Sequence, residues 1–103
     1  MTGPEENVTT LAGYQSEARR TINRALTDDQ RLLDASAGLA EEAGEVLSHI
    51  RKHLLQGRPL DRDAVTLELG DALWCLAIAA DTLGVTLAEV ARRNVEKLRS
   101  RFP

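Results

Sequence analysis

The stretch TDDQRLLDASAGLAEEAGEVLSHIRKHLLQG, residues 27–57, carries one long helical pattern and decides the fold of this chain. Thr27 followed three positions later by Gln30 is a capping-box pair, which predicts that a helix begins there. Gly57 and Pro59 predict its end. Between them, one stripe repeats at helical spacing and predicts a face packed against other helices. The stripe consists of Leu32, Ser36, Leu39, Ala43, Val46, Ile50 and Leu54.

Similar patterns predict three further helices around this one. The first is expected over Thr10–Leu26. Asp61 is the expected N-cap of the third helix, which should reach Leu83, and Thr86 with Glu89 forms a capping box for the fourth. Four helices with short connections predict an all-α, four-helix bundle-like domain over residues 10–103, preceded by a frayed segment at residues 1–9.

Composition restricts the class of protein. The 103 residues fit one domain, and the formal net charge of -3 disfavours nucleic acid as a partner. The only cysteine, Cys75, excludes an internal disulfide and suggests a reducing compartment. The longest apolar stretch, residues 72–80, is too short to cross a membrane. We therefore expect a cytoplasmic protein without a membrane or nucleic-acid partner.

Two acidic steps interrupt the apolar pattern: EEAGE at residues 41–45 and ELGD at residues 68–71. Each places two carboxylates three positions apart, on one face of its helix. Like charges beside a core are costly unless they are neutralised, and a hard divalent cation does so well. The sequence predicts a Mg²⁺ site across two helices, formed by Glu42, Glu45, Glu68 and Asp71.

Other interpretations of the acidic steps remain open. Acid pairs at this spacing are common on solvated helix surfaces. A carboxylate-bridged di-iron bundle needs Glu-x-x-His steps, but position 48 is Ser and position 74 is Trp. These two positions argue for Mg²⁺ rather than iron.

The third helix is apolar on nearly all sides. Leu69, Leu73, Leu76 and Leu83 form one stripe, and a second stripe lies elsewhere on the same helix. A helix that is hydrophobic on two sides lies in a large core or against a partner subunit. We therefore expect a homo-oligomer, either a homodimer or a dimer-of-dimers tetramer.

The acidic steps also carry a resemblance. GLAEEAGEV at residues 38–46 and ELGDALW at residues 68–74 resemble the E-x-x-E and E-x-x-D signature of the MazG-type all-α nucleoside triphosphate pyrophosphohydrolases. The tail ARRNVEKL at residues 91–98, with RFP at the end, is similar to that family's closing segment. The resemblance covers roughly residues 30–103.

The resemblance implies cleavage of a nucleoside triphosphate, NTP or dNTP, between its α and β phosphates, with a role in nucleotide-pool housekeeping. The cofactor would be Mg²⁺, for which Mn²⁺ could substitute. Carried over by motif position, Glu42, Glu45, Glu68 and Asp71 would be the metal ligands. Glu41 would be the candidate general base, or a partner that supports the metal ligands.

Phosphoryl transfer also needs cations around the phosphates. Asn94, Lys97 and Arg101 share one face of the fourth helix and are candidate phosphate ligands, as is Lys52. Trp74 and Cys75 are candidates for a base pocket, although packing in a core or interface is the preferred interpretation of both. His49 and His53 fit hydrogen-bonded, partly buried residues better than they fit a proton relay.

Two rival functions belong to different classes. Phosphoribosyl-ATP pyrophosphohydrolase shares the helical architecture and the acidic pattern, but the segment after Asp71 lacks the His expected there. A non-catalytic dimeric helical regulator would need no divalent metal. Substitution of Glu42 and Asp71 would then leave its function intact.

Overall fold

The computed structural model describes residues 8–103, so most of the segment expected to be frayed, residues 1–7, lies outside the described part. That part contains four α-helices and no strand: α1 (Leu11–Arg19), α2 (Asp28–Gln56), α3 (Arg62–Thr82) and α4 (Leu87–Arg101). The predicted all-α fold class is confirmed.

The helices begin where their caps predict. Thr27 and Gln30 form both hydrogen bonds of the capping box before α2. The carboxylate of Asp61 accepts a hydrogen bond from the Ala64 amide, and Thr86 caps α4 in the same way. At the end of α2, Gly57 adopts a left-handed conformation, with φ of 68°, that L-residues rarely adopt. This turn folds α3 back along α2.

The α2–α3 hairpin is the principal packing unit of the chain. Gly38 of α2 lies against Cys75 of α3, and Glu42 lies near Asp71 and Glu68, so the two helices run antiparallel. This arrangement brings the two acidic steps together at the same level of the hairpin.

The core is small and lies around the carboxyl-terminal half of α3. Its fully buried side chains are Ala18, Ala35, Ala77, Ile78 and Leu87. Gln15 of α1 is also buried and joins three segments: its amide donates to the carbonyls of Ala77 and Val85, and its carbonyl accepts from the Leu87 amide. Because each partner is a backbone group, Gln15 fixes how α1, α3 and α4 meet.

Two expectations about the helices are wrong. The first helix ends at Arg19 instead of Leu26, because residues 20–27 form turns stabilised by tertiary hydrogen bonds. Arg31 donates to the carbonyls of Asn23 and Leu26, and Trp74 donates to the Thr21 hydroxyl. The inward face of α2 is also rotated from the predicted stripe, since Leu54 is 70% exposed and Glu42 is half-buried.

A large apolar surface stays exposed on the chain. It includes Leu33, Leu47 and Leu54 on α2 and Leu69, Leu76 and Leu83 on α3. Leu47 and Leu54, like Leu69 and Leu76, are seven residues apart, close to two helical turns, so each set forms a stripe along its helix. Leu33 lies fourteen residues before Leu47, and Leu83 extends the second stripe just past the end of α3. Within residues 8–103, no single helix is both long enough and apolar enough to cross a membrane.

The fourth helix leaves the hairpin at a steep angle. Its axis is bent by 101° relative to α3. Among the described residues, α4 contacts α1 and α3 but not α2. The face of α4 with the predicted phosphate ligands therefore does not pack against the acidic step of α2 in its own chain.

Candidate metal centre and adjoining pocket

Three carboxylates converge between α2 and α3. Glu42 of α2 and Glu68 and Asp71 of α3 each offer a carboxylate oxygen, and these oxygens all lie within 4.8 Å of one another. The i, i+3 spacing puts Glu68 and Asp71 on the α3 face that meets Glu42. The structure thus brings together three of the four predicted metal ligands.

Without a counter-ion, the surroundings of Glu42 disfavour its ionised form. A hydrogen bond with the Glu68 carboxyl, desolvation, and the negative charges of Glu68, Asp71 and Glu45 together raise the pKa of Glu42 to about 7. All of these effects favour the protonated carboxyl. At neutral pH, full ionisation of the three carboxylates is therefore unfavourable.

A bound cation would remove this difficulty. The Oε2 atom of Glu42 is buried and has no hydrogen-bond partner in the described structure. A buried oxygen of this kind normally has a partner. Carboxylate oxygens are the ligands that Mg²⁺ and similar hard cations prefer, so the donor set fits such an ion. Glu42, Glu68 and Asp71 would hold it.

The other two acids of the first step lie at the edge of this cluster. Glu45 is exposed and one turn from Glu42, close enough for its charge to act on the Glu42 carboxyl. Glu41 is exposed and lines the pocket beside the cluster, outside the group of three converging carboxylates. Its position is compatible with a role beside a metal rather than on it.

An open pocket of about 260 Å³ adjoins the three carboxylates. Its lining combines an acidic end with an aromatic and apolar end. The lining residues are Asp34, Ala37, Gly38, Glu41, Glu42, Asp71, Trp74 and Cys75. Both candidates for a base pocket, Trp74 and Cys75, therefore border the same cavity as the three converging carboxylates.

The aromatic end of the pocket is held in place by specific contacts. Trp74 donates a 2.8 Å hydrogen bond from its indole nitrogen to the Thr21 hydroxyl. Cys75 is buried, and a Cβ placed on Gly38 would lie 2.9 Å from its sulfur. Burial raises the pKa of the Cys75 thiol, as do the nearby charges of Glu42 and Asp34. Cys75 is thus a neutral wall of the pocket.

The predicted cations lie elsewhere. Lys52 is exposed on α2, about two turns beyond Glu45, and Asn94, Lys97 and Arg101 are exposed on α4. Helix α4 does not contact α2 within the chain, and none of these three residues lines the pocket beside the carboxylates. Their assignment as phosphate ligands stays a prediction.

The positions of the two histidines, unlike those of the acids, are explained by packing and hydrogen bonding. The Nδ1 atom of His53 forms a 2.6 Å hydrogen bond with the Arg58 carbonyl, at the turn that ends α2. His49 is partly buried. His53 therefore has a structural role, as the sequence pattern favoured.

Sequence reasoning missed three residues of the pocket lining, Asp34, Ala37 and Gly38. Asp34 lies seven residues before Glu41, on nearly the same face of α2, which was a usable signal. Gly38 could not be identified in this way, because its role depends on the close approach of Cys75 from α3.

Comparison with known proteins found a matching family model and two related sequences. The family model described as the MazG nucleotide pyrophosphohydrolase domain matches residues 30–103. The Gene 37 protein of Mycobacterium phage L5 is 40% identical over 68 residues, covering 62% of this chain and 60% of the phage protein. The uncharacterized protein YvdC of Bacillus subtilis (strain 168) is 34% identical over 73 residues, covering 62% of this chain and 69% of that protein.

The chain therefore spans less than two thirds of the phage relative's length. No solved structure matches the chain significantly. The matched range, residues 30–103, contains all four predicted metal ligands and the whole lining of the pocket.

Proposed function

Because the chain belongs to the MazG nucleotide pyrophosphohydrolase family, we propose that it hydrolyses nucleoside triphosphates between the α and β phosphates. The products would be a nucleoside monophosphate and pyrophosphate, and the reaction would serve nucleotide-pool housekeeping. The observation that carries this proposal is the convergence of Glu42, Glu68 and Asp71 beside a pocket.

The positions of the site residues suggest a different role for each group. Glu42, Glu68 and Asp71, with Glu45 at their edge, would hold Mg²⁺, or Mn²⁺ as a substitute. When bound, the ion would supply charge neutralisation, contacts to phosphate oxygens and a lowered pKa for water. Glu41, at the rim of the same pocket, would accept the proton of the attacking water.

The test is a reaction with a panel of nucleoside triphosphates and Mg²⁺, in which released pyrophosphate and phosphate are measured separately. Wild-type protein should release pyrophosphate, and Glu42→Gln and Asp71→Asn should not. Asp63→Asn, which changes an exposed acid in the first turn of α3, is the matched control. Phosphate as the first product would overturn the proposed cleavage site.

The assay also separates the rival functions. Pyrophosphate released from phosphoribosyl-ATP, but from no free nucleoside triphosphate, would identify the histidine-pathway activity instead. A non-catalytic regulator would release pyrophosphate from neither. Its helical fold and its binding properties would then be indifferent to Glu42→Gln.

We also propose that the active form is a homodimer or a dimer-of-dimers tetramer. Burying the stripe of Leu69, Leu76 and Leu83 against another copy would remove a large apolar area from water. Since α4 does not contact α2 of its own chain, the partner copy would supply Lys97 and its neighbours.

Subunit mixing tests this assembly. A Lys97→Ala chain and a Glu42→Gln chain should each be inactive alone. If α4 acts across the interface, mixed oligomers will regain activity, because one of their sites combines an intact α4 with intact carboxylates. Leu76→Glu should dissociate the oligomer in light scattering. A monomeric wild-type protein, or mixtures that stay inactive, would contradict the shared site.

A further inference from the structure

The pocket beside the metal centre extends in one direction along α2. Asp34 lies seven residues before Glu41, which corresponds to about 10 Å along a helix axis. Lys52 lies on the other side of the carboxylates, toward the carboxyl end of α2. A nucleotide whose phosphates lie at the carboxylates, with Lys52 beyond them, would therefore place its base toward Asp34 and Trp74.

Most of the hydrogen-bonding side chains that line the pocket are acceptors. Among the eight lining residues, the polar side chains are four carboxylates, one indole and one thiol. The indole N–H of Trp74 already donates to the Thr21 hydroxyl, and the Cys75 thiol is buried and a weak donor. Glu41, Glu42 and Asp71 belong to the other end of the pocket. The carboxylate of Asp34 is the acceptor left for a base.

We propose that Asp34 determines base specificity by selecting a base edge with two adjacent N–H donors, as guanine presents with its N1–H and 2-amino groups. This inference rests on the proposed function, since it assumes that a nucleotide occupies the pocket. A carboxylate has two oxygens in one plane and accepts two parallel N–H bonds. A donor–donor edge is the matching partner.

The other bases match this acceptor less well. Adenine and cytosine each offer one amino group beside an acceptor nitrogen, so one carboxylate oxygen would face a lone pair. Uracil and thymine offer a single imino N–H between two carbonyls, and both carbonyls would face the carboxylate. A polar group left without a partner in a site is costly, which gives the order guanine, then adenine and cytosine, then uracil and thymine.

The activity test compares kcat/KM for the four bases in wild-type protein and in Asp34→Asn. Wild type should prefer guanine nucleotides over uracil nucleotides by on the order of tenfold or more. Asp34→Asn replaces one acceptor by a donor, so it should reduce this ratio by a similar factor. Asp63→Asn, an exposed aspartate outside the pocket, should leave the ratio unchanged.

A binding test does not depend on hydrolysis. Trp74 is the only tryptophan in the chain, so its fluorescence reports on this pocket alone. Titration with GMP, AMP, CMP and UMP in the presence of Mg²⁺ should show tighter binding of GMP, and Asp34→Asn should weaken GMP binding more than UMP binding. Equal quenching by all four, or preference for UMP, would overturn the inference.

The two tests separate this inference from the proposed function. Pyrophosphate release without base preference, and without an effect of Asp34→Asn on the ratio, would refute the role of Asp34 and leave the pyrophosphohydrolase intact. GMP preference at Trp74 in a protein that releases no pyrophosphate would refute the proposed function and uphold the base pocket.

Discussion

Two glutamates, Glu42 in the α2–α3 hairpin and Glu89 at the start of α4, have opposite electrostatic surroundings. Around Glu42, the carboxylates of Glu68 and Asp71 converge, and the pKa of Glu42 rises to about 7. Around Glu89, hydrogen bonds from Arg92 and Arg93 lower the pKa to about 2. The charged groups that shift the pKa of Glu42 are all negative, whereas Glu89 is paired with two arginines.

The difference supports the hairpin, rather than α4, as the place for a bound cation. Glu89, Arg92, Arg93 and Glu96 form ion pairs with one another within α4, so these charges are balanced locally. The charges of the hairpin are unsatisfied, and the buried Oε2 of Glu42 has no partner in the described structure. Carboxylates that the fold holds together at a cost are typical of functional sites.

The largest expected effect comes from removing a carboxylate of the hairpin. Glu42→Gln or Asp71→Asn should lower Mg²⁺-dependent pyrophosphate release by on the order of a hundredfold or more, which is the usual loss when a group that stabilises developing charge is removed. Initial rates at saturating Mg²⁺ measure it. In the absence of metal, both variants should unfold at a temperature no lower than wild type, because repulsion in the cluster is reduced.

Glu89→Gln is the comparison for this experiment. It should retain wild-type pyrophosphate release, since Glu89 is remote from the cluster and bonded to its own helix. Equal loss of activity in Glu89→Gln and Glu42→Gln would contradict the division between the two regions.

Packing differs within the hairpin itself, because α2 approaches α3 closely at Gly38 but not at Gly44. A methyl group on Gly38 would come within 2.9 Å of the Cys75 sulfur, whereas one on Gly44 would meet nothing within 4 Å of the same chain. We expect Gly38→Ala to lower the free energy of unfolding by about 1–3 kcal/mol. Gly44→Ala should raise it by about 1 kcal/mol, through helix propensity alone.

Urea unfolding at one fixed protein concentration measures both effects. Cys75→Ala should rescue much of the loss in Gly38→Ala, because it removes the atom that the new methyl group meets. Without such rescue, the loss in Gly38→Ala would have another cause than the approach of α2 to α3.

Much of the fold could be predicted from local signals. The caps at Thr27, Asp61 and Thr86 each satisfy backbone amides within three residues, so they are visible in the sequence and are confirmed by the structure. The end of α1 was not visible in this way. It depends on hydrogen bonds from Arg31 and Trp74, residues that lie far along the chain.

The site divides in the same manner. The i, i+3 spacing predicted that the acids of each step share a face, and the structure brings Glu42, Glu68 and Asp71 together. The rotation of α2 about its axis was not predictable from its apolar stripe, because an acid occupies part of the inward face. Asp34 shares nearly the same face of α2 as Glu41, which was a sequence signal, but its place in the pocket lining depends on how α2 and α3 pack.

The pH dependence of stability should differ in sign between the two regions, beginning with Glu42. Its pKa in the folded protein, about 7, exceeds the ordinary value of 4.5, so folding favours the protonated form. The corresponding stability is present below about pH 4.5 and is lost as the pH rises to about 7. In EDTA, the melting temperature of wild type should fall over this range more than that of Glu42→Gln. Added Mg²⁺ should reverse the fall at pH 7.5 by binding the ionised cluster. Parallel curves for the two proteins would contradict the assignment.

The smallest expected effect is the opposite pH dependence of Glu89. Its pKa in the folded protein, about 2, lies below the ordinary value of 4.5, so its contribution to stability is present above pH 4.5 and is lost as the pH falls toward 2. Glu89→Gln should melt slightly below wild type at pH 7, and the two melting curves should converge in acid. Because Arg92 and Arg93 are largely exposed, the difference should also shrink in 1 M salt. Thermal unfolding in EDTA at several pH values measures both trends. A difference that grew in acid would mean that Glu89, like Glu42, is held against its charge, and the contrast between the two regions would be lost.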